Sequence, residues 1–192
     1  MKTHSLPERI DDNFGAPLHR VFELLKVVHS SEGETLYLDY SEAKFTHPFL
    51  TAAISGLKEK HGALLQVPSD QFRHSNIQMY MDTVAYPDGL HFIWPYPQNT
   101  DEVKQNFELK SFLPILNFPS DLSSESDMFR SILISSFEKL LARQSNLKGE
   151  KLISIKFLIS EAIDNISEHS QVSTGKIFAQ TFPTKLYLIC VC

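Results

Sequence analysis

Cysteine is scarce in this chain. Cys190 and Cys192 are its only two among 192 residues, and they stand in one apolar run. On a strand, residues two apart share a face. With no third cysteine, a metal or redox centre built on them has no further partner. We read both as buried, reduced thiols that behave as small hydrophobes.

Long apolar runs are missing too. None approaches the roughly 18 residues that a membrane span needs. The opening Met1-Lys2-Thr3-His4-Ser5-Leu6-Pro7-Glu8 has no apolar h-region, so a signal peptide is not expected. The expected location is the cytosol, with no membrane contact. Basic residues are not in excess. The formal net charge is -5, which argues against nucleic acid as a partner, because phosphate neutralisation wants a basic face. Glycine-rich phosphate cradles, G-x-G-x-x-G or G-x-x-x-x-G-K-[ST], do not occur. His4, His19, His29, His61, His74 and His91 show no metal-ligand spacing. There is no internal repeat and no low-complexity segment.

What remains is an ordinary soluble composition, 42% hydrophobic and 21% charged, long enough for one large or two small domains. Leu18, Val21, Phe22, Leu25 and Val28 recur at helical spacing and predict a helix over 17–29. A strand is expected over 35–39, a helix over 48–60 with Pro48 in its first turn and Gly62 past its end, and a strand over 63–67. A short helix over 77–84 and a strand over 90–94 follow, then a polar, proline-rich loop over 95–101. This alternation favours an α/β fold.

Residues 109–117 are apolar but interrupted by Pro114, and 119–126 are rich in Ser, Asp and Pro, as a boundary would be. Phe129, Ile132, Leu133, Phe137, Leu140 and Leu141 predict a long amphipathic helix over 127–144. A turn at 146–149 leads to a second long helix over 150–170. Two strands, 175–182 and 185–192, then form an antiparallel hairpin across Pro183-Thr184.

The second long helix carries the candidate chemistry. Glu161, Asn165 and His169 are spaced i, i+4, i+8 and so form one stripe. At 100° per residue the stripe lies roughly 110° from the centre of the face formed by Leu152, Ile155, Ile159, Ala162, Ile163 and Ile166. It is expected to flank the core. A carboxylate can orient or deprotonate a nucleophile. An Asn oxygen can ligate Mg²⁺, which prefers hard oxygen donors. The same spacing also suits an ordinary solvated face with a histidine near the helix C-terminus.

The segment Glu161-Ala-Ile-Asp-Asn165-Ile-Ser-Glu-His169-Ser170 resembles the N-box, E-x-x-x-N-x-x-x-H, of the GHKL superfamily of ATPases. Histidine kinases and anti-sigma-factor serine kinases belong to it, and the ending Glu-His-Ser looks most like the latter. The preceding helix and the two following strands fit that resemblance, which covers about residues 110–192. It implies Glu161 as the catalytic or water-orienting carboxylate, Asn165 as the Mg²⁺ ligand and His169 as a position near the phosphates of ATP. In the family the second strand runs into an adenine-reading Asp-x-Gly motif, and the chain stops at Cys192 where that motif would begin. The expectation is that this chain alone binds ATP weakly or not at all.

The first half looks like a STAS domain, the fold of anti-sigma-factor antagonists, on the strand, loop and helix of Leu36-Tyr-Leu-Asp39 to Phe45-Thr46-His47-Pro48. Thr46 is a candidate phosphoacceptor at a helix N-terminus, where backbone amides would stabilise a phosphate; the plainer reading is a cap or turn residue. His47 reads as a structural hydrogen-bond partner and Asp39 as a loop cap.

The expected architecture is therefore α/β: a small STAS-like domain over 1–108, then over 109–192 the N-terminal half of a Bergerat-type α/β sandwich, two helices and a β-hairpin. The expected function is a cytosolic signalling regulator whose complete form uses ATP and Mg²⁺, with serine/threonine kinase activity as one outcome. A non-enzymatic interaction module is the alternative. The expected partner is a protein of a regulatory pathway, and the unpaired strand ending at Cys192 invites a homodimer or domain-swapped assembly.

Overall fold

Leucine alternation sets the first sheet. In the computed structural model, Leu36 and Leu38 are buried on strand β2 (Leu36–Asp39), while Tyr37 and Asp39 between them are half-buried. The structure describes residues 1–9, 16–31, 33–67, 72–91, 105, 109–121, 123–145, 148–169, 172–182 and 185–191. The loop expected over 95–101, the turn residues 146, 147, 183 and 184, and Cys192 lie outside them. The chain is α/β throughout and divides into two compact units, Met1–Gly89 and Leu90–Cys192.

In the first unit β2 is the middle of a parallel sheet. It is flanked by β1 (Lys2–Ser5) and β3 (Leu65–Gln66), with Lys2 opposite Leu36 and Leu36 opposite Leu65. Helices α1 (Ala16–His29) and α2 (Pro48–His61) make the two crossovers that parallel neighbours require. Helix α3 (Ser75–Thr83) follows. Strand β1 has no apolar residue and was not anticipated from periodicity. The backbone pairing to β2 holds it at an edge.

Val21 and Leu24 are the buried side chains of α1, whereas Leu18, Phe22 and Leu25 are 40% or more exposed. The apolar residues spread over more of the helix circumference than three short strands can cover. Strand 63–67 is also shorter than expected, because Gly62–Leu64 form a 3-10 turn before β3. Beside β2, the buried hydroxyls of Tyr40 and Tyr86 hydrogen-bond to each other, with the Phe72 ring 5.0 Å from that of Tyr40.

The second unit is a four-stranded sheet in the order β4 (Leu90–His91), β5 (Phe112–Pro119), β6 (Thr174–Phe182), β7 (Lys185–Val191). The pair β4–β5 is parallel and the other two are antiparallel. The pairing of Leu90 with Leu116 places β4 in this sheet. Strand β5 is an eight-residue interior strand despite Pro114, which sits where the register shifts between Leu113 and Leu116.

Helices α4 (Ser124–Ser145) and α5 (Glu150–His169) connect β5 to β6. One core joins Phe129, Leu133, Phe137 and Leu141 of α4 and Ile159 and Ile163 of α5 to the sheet residues Leu116, Phe118, Ile177 and Ala179. The stretch 119–126, read as a boundary, instead lies inside this unit as the β5–α4 connection. There Arg130 is buried and donates to the carbonyls of Pro119 (3.0 Å) and Asp121 (2.6 Å), and pairs with Asp127.

Two constraints here are testable. Gly175 faces Phe118 across β5–β6, and a Cβ at Gly175 would fall under 3.0 Å from three carbons of that ring. Gly175→Ala is expected to lower stability by about 1–3 kcal/mol in urea unfolding, and Phe118→Leu in the same chain is expected to recover part of that loss.

Asp121 caps α4. Hydrogen bonds from the Ser123 side chain, the Ser126 hydroxyl and the Ser123 amide hold its carboxyl below the ordinary 3.8, at about 2. The native state therefore favours the ionised form. That contribution is complete above about pH 4 and fades as the pH falls to about 2. In an acid titration followed by circular dichroism, wild type is expected to lose its advantage over Asp121→Asn across that window.

Candidate functional site

The rotation of α5 follows from its apolar residues. Ile159 and Ile163 are buried, and Leu152, Ile155, Ala162 and Ile166 are half-buried around them. This places Glu161, Asn165 and His169 along one exposed strip of the helix. The strip is more open than the flanking position expected from the angles. Leu158, one turn before Ala162 and beside the same strip, is itself 60% exposed.

Among the described residues Glu161 and Asn165 make no side-chain hydrogen bond or ion pair, so their oxygens face solvent. His169 closes the helix. Its side chain is 71% exposed, with Nε2 3.8 Å from a Glu168 carboxylate oxygen. The structure thus brings the three residues to one surface, one helical turn apart, with Asp164 and Glu168 exposed beside them. Such a surface can present a carboxylate and an amide oxygen to a cation and its attached phosphates. Among the described residues no group of three or more His, Cys, Asp or Glu side chains could hold a metal by itself. A single Asn oxygen sharing an ion with phosphates is a different arrangement.

Thr46 and His47 sit at the start of α2. His47 is the N-cap: its Nδ1 accepts from the Phe49 amide at 3.2 Å. Thr46 is buried, 4% exposed, and its hydroxyl accepts from the Thr51 hydroxyl at 3.3 Å. A phosphate on Thr46 requires this segment to open first. Asp39 accepts from the Ser41 amide at 2.9 Å and from the Ser5 hydroxyl at 3.2 Å. These bonds, the Ser41 amide first, hold its carboxyl below the ordinary range. It is a turn cap. Cys190 is a free, half-buried thiol on β7, pushed up to about 12 by burial, which keeps it neutral and unreactive at neutral pH.

The sequence reading missed a buried polar pair on the sheet. Lys176 of β6 lies opposite Asn117 of β5 and donates to its Oδ1 at 2.9 Å, with both residues under 5% exposed. The available signal was a lysine sharing a strand face with Phe178 inside an otherwise apolar run. Among the described residues no helix is long and apolar enough to cross a membrane. No family model, curated protein or solved structure matches the chain.

Because Thr46 is buried, Thr46→Asp is expected to cost at least about 2 kcal/mol of stability, read by thermal or urea unfolding. Thr46→Ser, which keeps the hydroxyl, is expected to cost much less.

Proposed function

We propose that the second unit is the phosphate- and metal-facing side of an ATP-binding module, in a cytoplasmic regulator that couples nucleotide binding to contacts with a partner protein. The observation that carries this reading is the exposed Glu161–Asn165–His169 strip on α5, a helix whose other side is anchored by Ile159 and Ile163 and which leads into the antiparallel pair β6–β7.

The residues suit Mg²⁺. Asn165 offers an uncommitted hard oxygen, and Glu161 lies one turn away. An ion held there would supply positive charge to the phosphates. Asn165 would hold it, Glu161 would orient or deprotonate an attacking hydroxyl, and His169 would lie toward the phosphates. Serine/threonine kinase activity is the reaction class that such a pairing serves. The first unit is read as the STAS-like regulatory part.

A second reading is a protein-interaction module of a partner-switching system. Strand β7 favours it. It is the outermost strand of the sheet, and its outer backbone edge is unpaired among the described residues. Of its seven residues only Lys185 is charged. An edge of that kind accepts an added strand.

The test is a titration of the isotopically labelled chain with ATP in the presence of Mg²⁺. The Asn165 side-chain amide and the α5 backbone amides are expected to shift, and Asn165→Ala is expected to remove the shifts. The 192 residues contain no Asp-x-Gly adenine motif, so the expected affinity is millimolar. Shifts confined to other elements would overturn the site. Micromolar affinity by calorimetry would overturn the account of what the site lacks.

A further inference from the structure

We infer that the outer face of the α4–α5 hairpin is the interface of a two-fold dimer in which the hairpins of two copies pack antiparallel. The inference stands independently of ATP binding. It begins with an uncovered apolar groove. Ser131, Ile134 and Ser135 of α4 face Ile153, Phe157 and Ser160 of α5 across a groove of about 450 Å³. Phe157 is 62% exposed, Ile153 67%, and Met128, one turn before Ser131–Ile132 on α4, 52%. Phe157 and Ile153 line the groove, beside the Lys156–Glu138 ion pair (3.0 Å) that ties the two helices.

Charge identifies the occupant. Only residues 146–149 separate the helices, so they run antiparallel. Helix α4 carries Asp127 near its start and Lys139 and Arg143 near its end, the order its dipole favours. Helix α5 carries the opposite order. After Glu150 in its first turn, Lys151 and Lys156 come early, and Glu161, Asp164 and Glu168 come late, before the terminal His169. Between those two terminal residues the order works against the helix dipole. In an antiparallel pair it also gathers like charges at each end. Asp164 and Glu168 collect at one end, near Asp127, which is paired with Arg130. Lys139, Lys148 and Lys151 collect at the end with the connecting turn, near Glu150. Asp127, Asp164, Glu168, Glu150 and these lysines are exposed.

A normally ordered α5 would neutralise α4. This one leaves the hairpin with an acidic end and a basic end, separated by the apolar groove. A second copy turned end for end places acid on base at both ends and apolar groove on apolar groove. The interface is isologous and closes after two copies. Asp164 lies one turn beyond Ser160, and Lys139 one turn beyond Ser135, toward the opposite end. They form the pair that crosses the two-fold axis. Complementary ends of this kind fix orientation and speed association.

Sedimentation velocity and light scattering on the full chain, from micromolar to submillimolar concentration, test this directly. The expected result is a monomer–dimer equilibrium that weakens as salt is raised. Phe157→Glu is expected to raise the dissociation constant at least about tenfold. Asp164→Lys is expected to weaken the dimer, and Lys139→Glu added to it is expected to restore wild-type association. All three side chains are exposed, and circular dichroism checks that each variant folds. A monomer at every concentration overturns the inference. So does a dimer that ignores Phe157→Glu and the charge exchange but breaks on Tyr187→Lys or Ile189→Lys, which would assign self-association to the β7 edge.

Discussion

Burial of Ile159 and Ile163 against Ile177, Ala179 and the α4 side chains is the constraint on which the second unit depends. Removing each of these branched side chains from water contributes about 1.5–3 kcal/mol, far more than any exposed charge on the helix. The rotation of α5 is therefore set by two residues one turn apart. Everything polar on the helix takes the positions that remain. Glu161, Asn165 and His169 are on one strip because they share the four-residue spacing, and that strip is outside because the isoleucines are inside. Ile153 and Phe157 are exposed for the same reason. Their angular positions lie roughly 100° and 140° from the midpoint of the two isoleucines, and a single helix cannot bury its whole circumference against one layer.

The close contact of Gly175 with Phe118 tightens the arrangement. It lets β5 and β6 carry a large aromatic ring in the layer that receives the helices. On the opposite face of the same strands, the Lys176 ammonium is held by the Asn117 carbonyl oxygen. A hydrogen bond to a charged group contributes about 1.5–3 kcal/mol, whereas a buried charge left without such a partner costs more than the bond supplies. The register that places Gly175 under Phe118 also places Lys176 opposite Asn117. A slip by one residue would break both contacts at once, so two unrelated requirements specify the same pairing.

Legibility in the sequence followed the size of the apolar signal. Helices α4 and α5 could be read to within three residues at each end, because each repeats its core residues over several turns. Strands β6 and β7 were readable as a hairpin from their apolar runs. Strand β1 was not, because Lys2-Thr3-His4-Ser5 has no buried apolar face and is held by backbone hydrogen bonds to β2. Strand β5 was obscured by Pro114, whose missing amide is tolerated at a register shift that only the paired strand reveals. Leu18, Phe22 and Leu25 show the converse error: helical spacing reports that a helix is amphipathic, but not how wide a strip its neighbours cover. For the candidate site, the relative placement of Glu161, Asn165 and His169 was readable because one helix contains all three. The openness of their surroundings was not, since it depends on what packs beside Leu158.

The charge order of α5 links the strip to the rest of the hairpin. Selection for helix stability alone would place acids early and bases late. Here Glu161, Asp164 and Glu168 crowd the last half of the helix, next to the Asp127 end of α4. Each added anion raises the cost of the others by like-charge repulsion, modest at exposed sites but of one sign. That electrostatic cost falls whenever a cation or a basic surface is brought to this end. A divalent ion held at Asn165 would lower it locally, and the basic end of a second hairpin would lower it over several residues. The two proposed modes would place positive charge on overlapping parts of one acidic surface, so they would compete electrostatically unless the ion arrived with its phosphates. The phosphates would restore negative charge beside the strip and keep it attractive to lysine. The proposed nucleotide site and the proposed dimer would thereby be coupled through the electrostatics of a single helix.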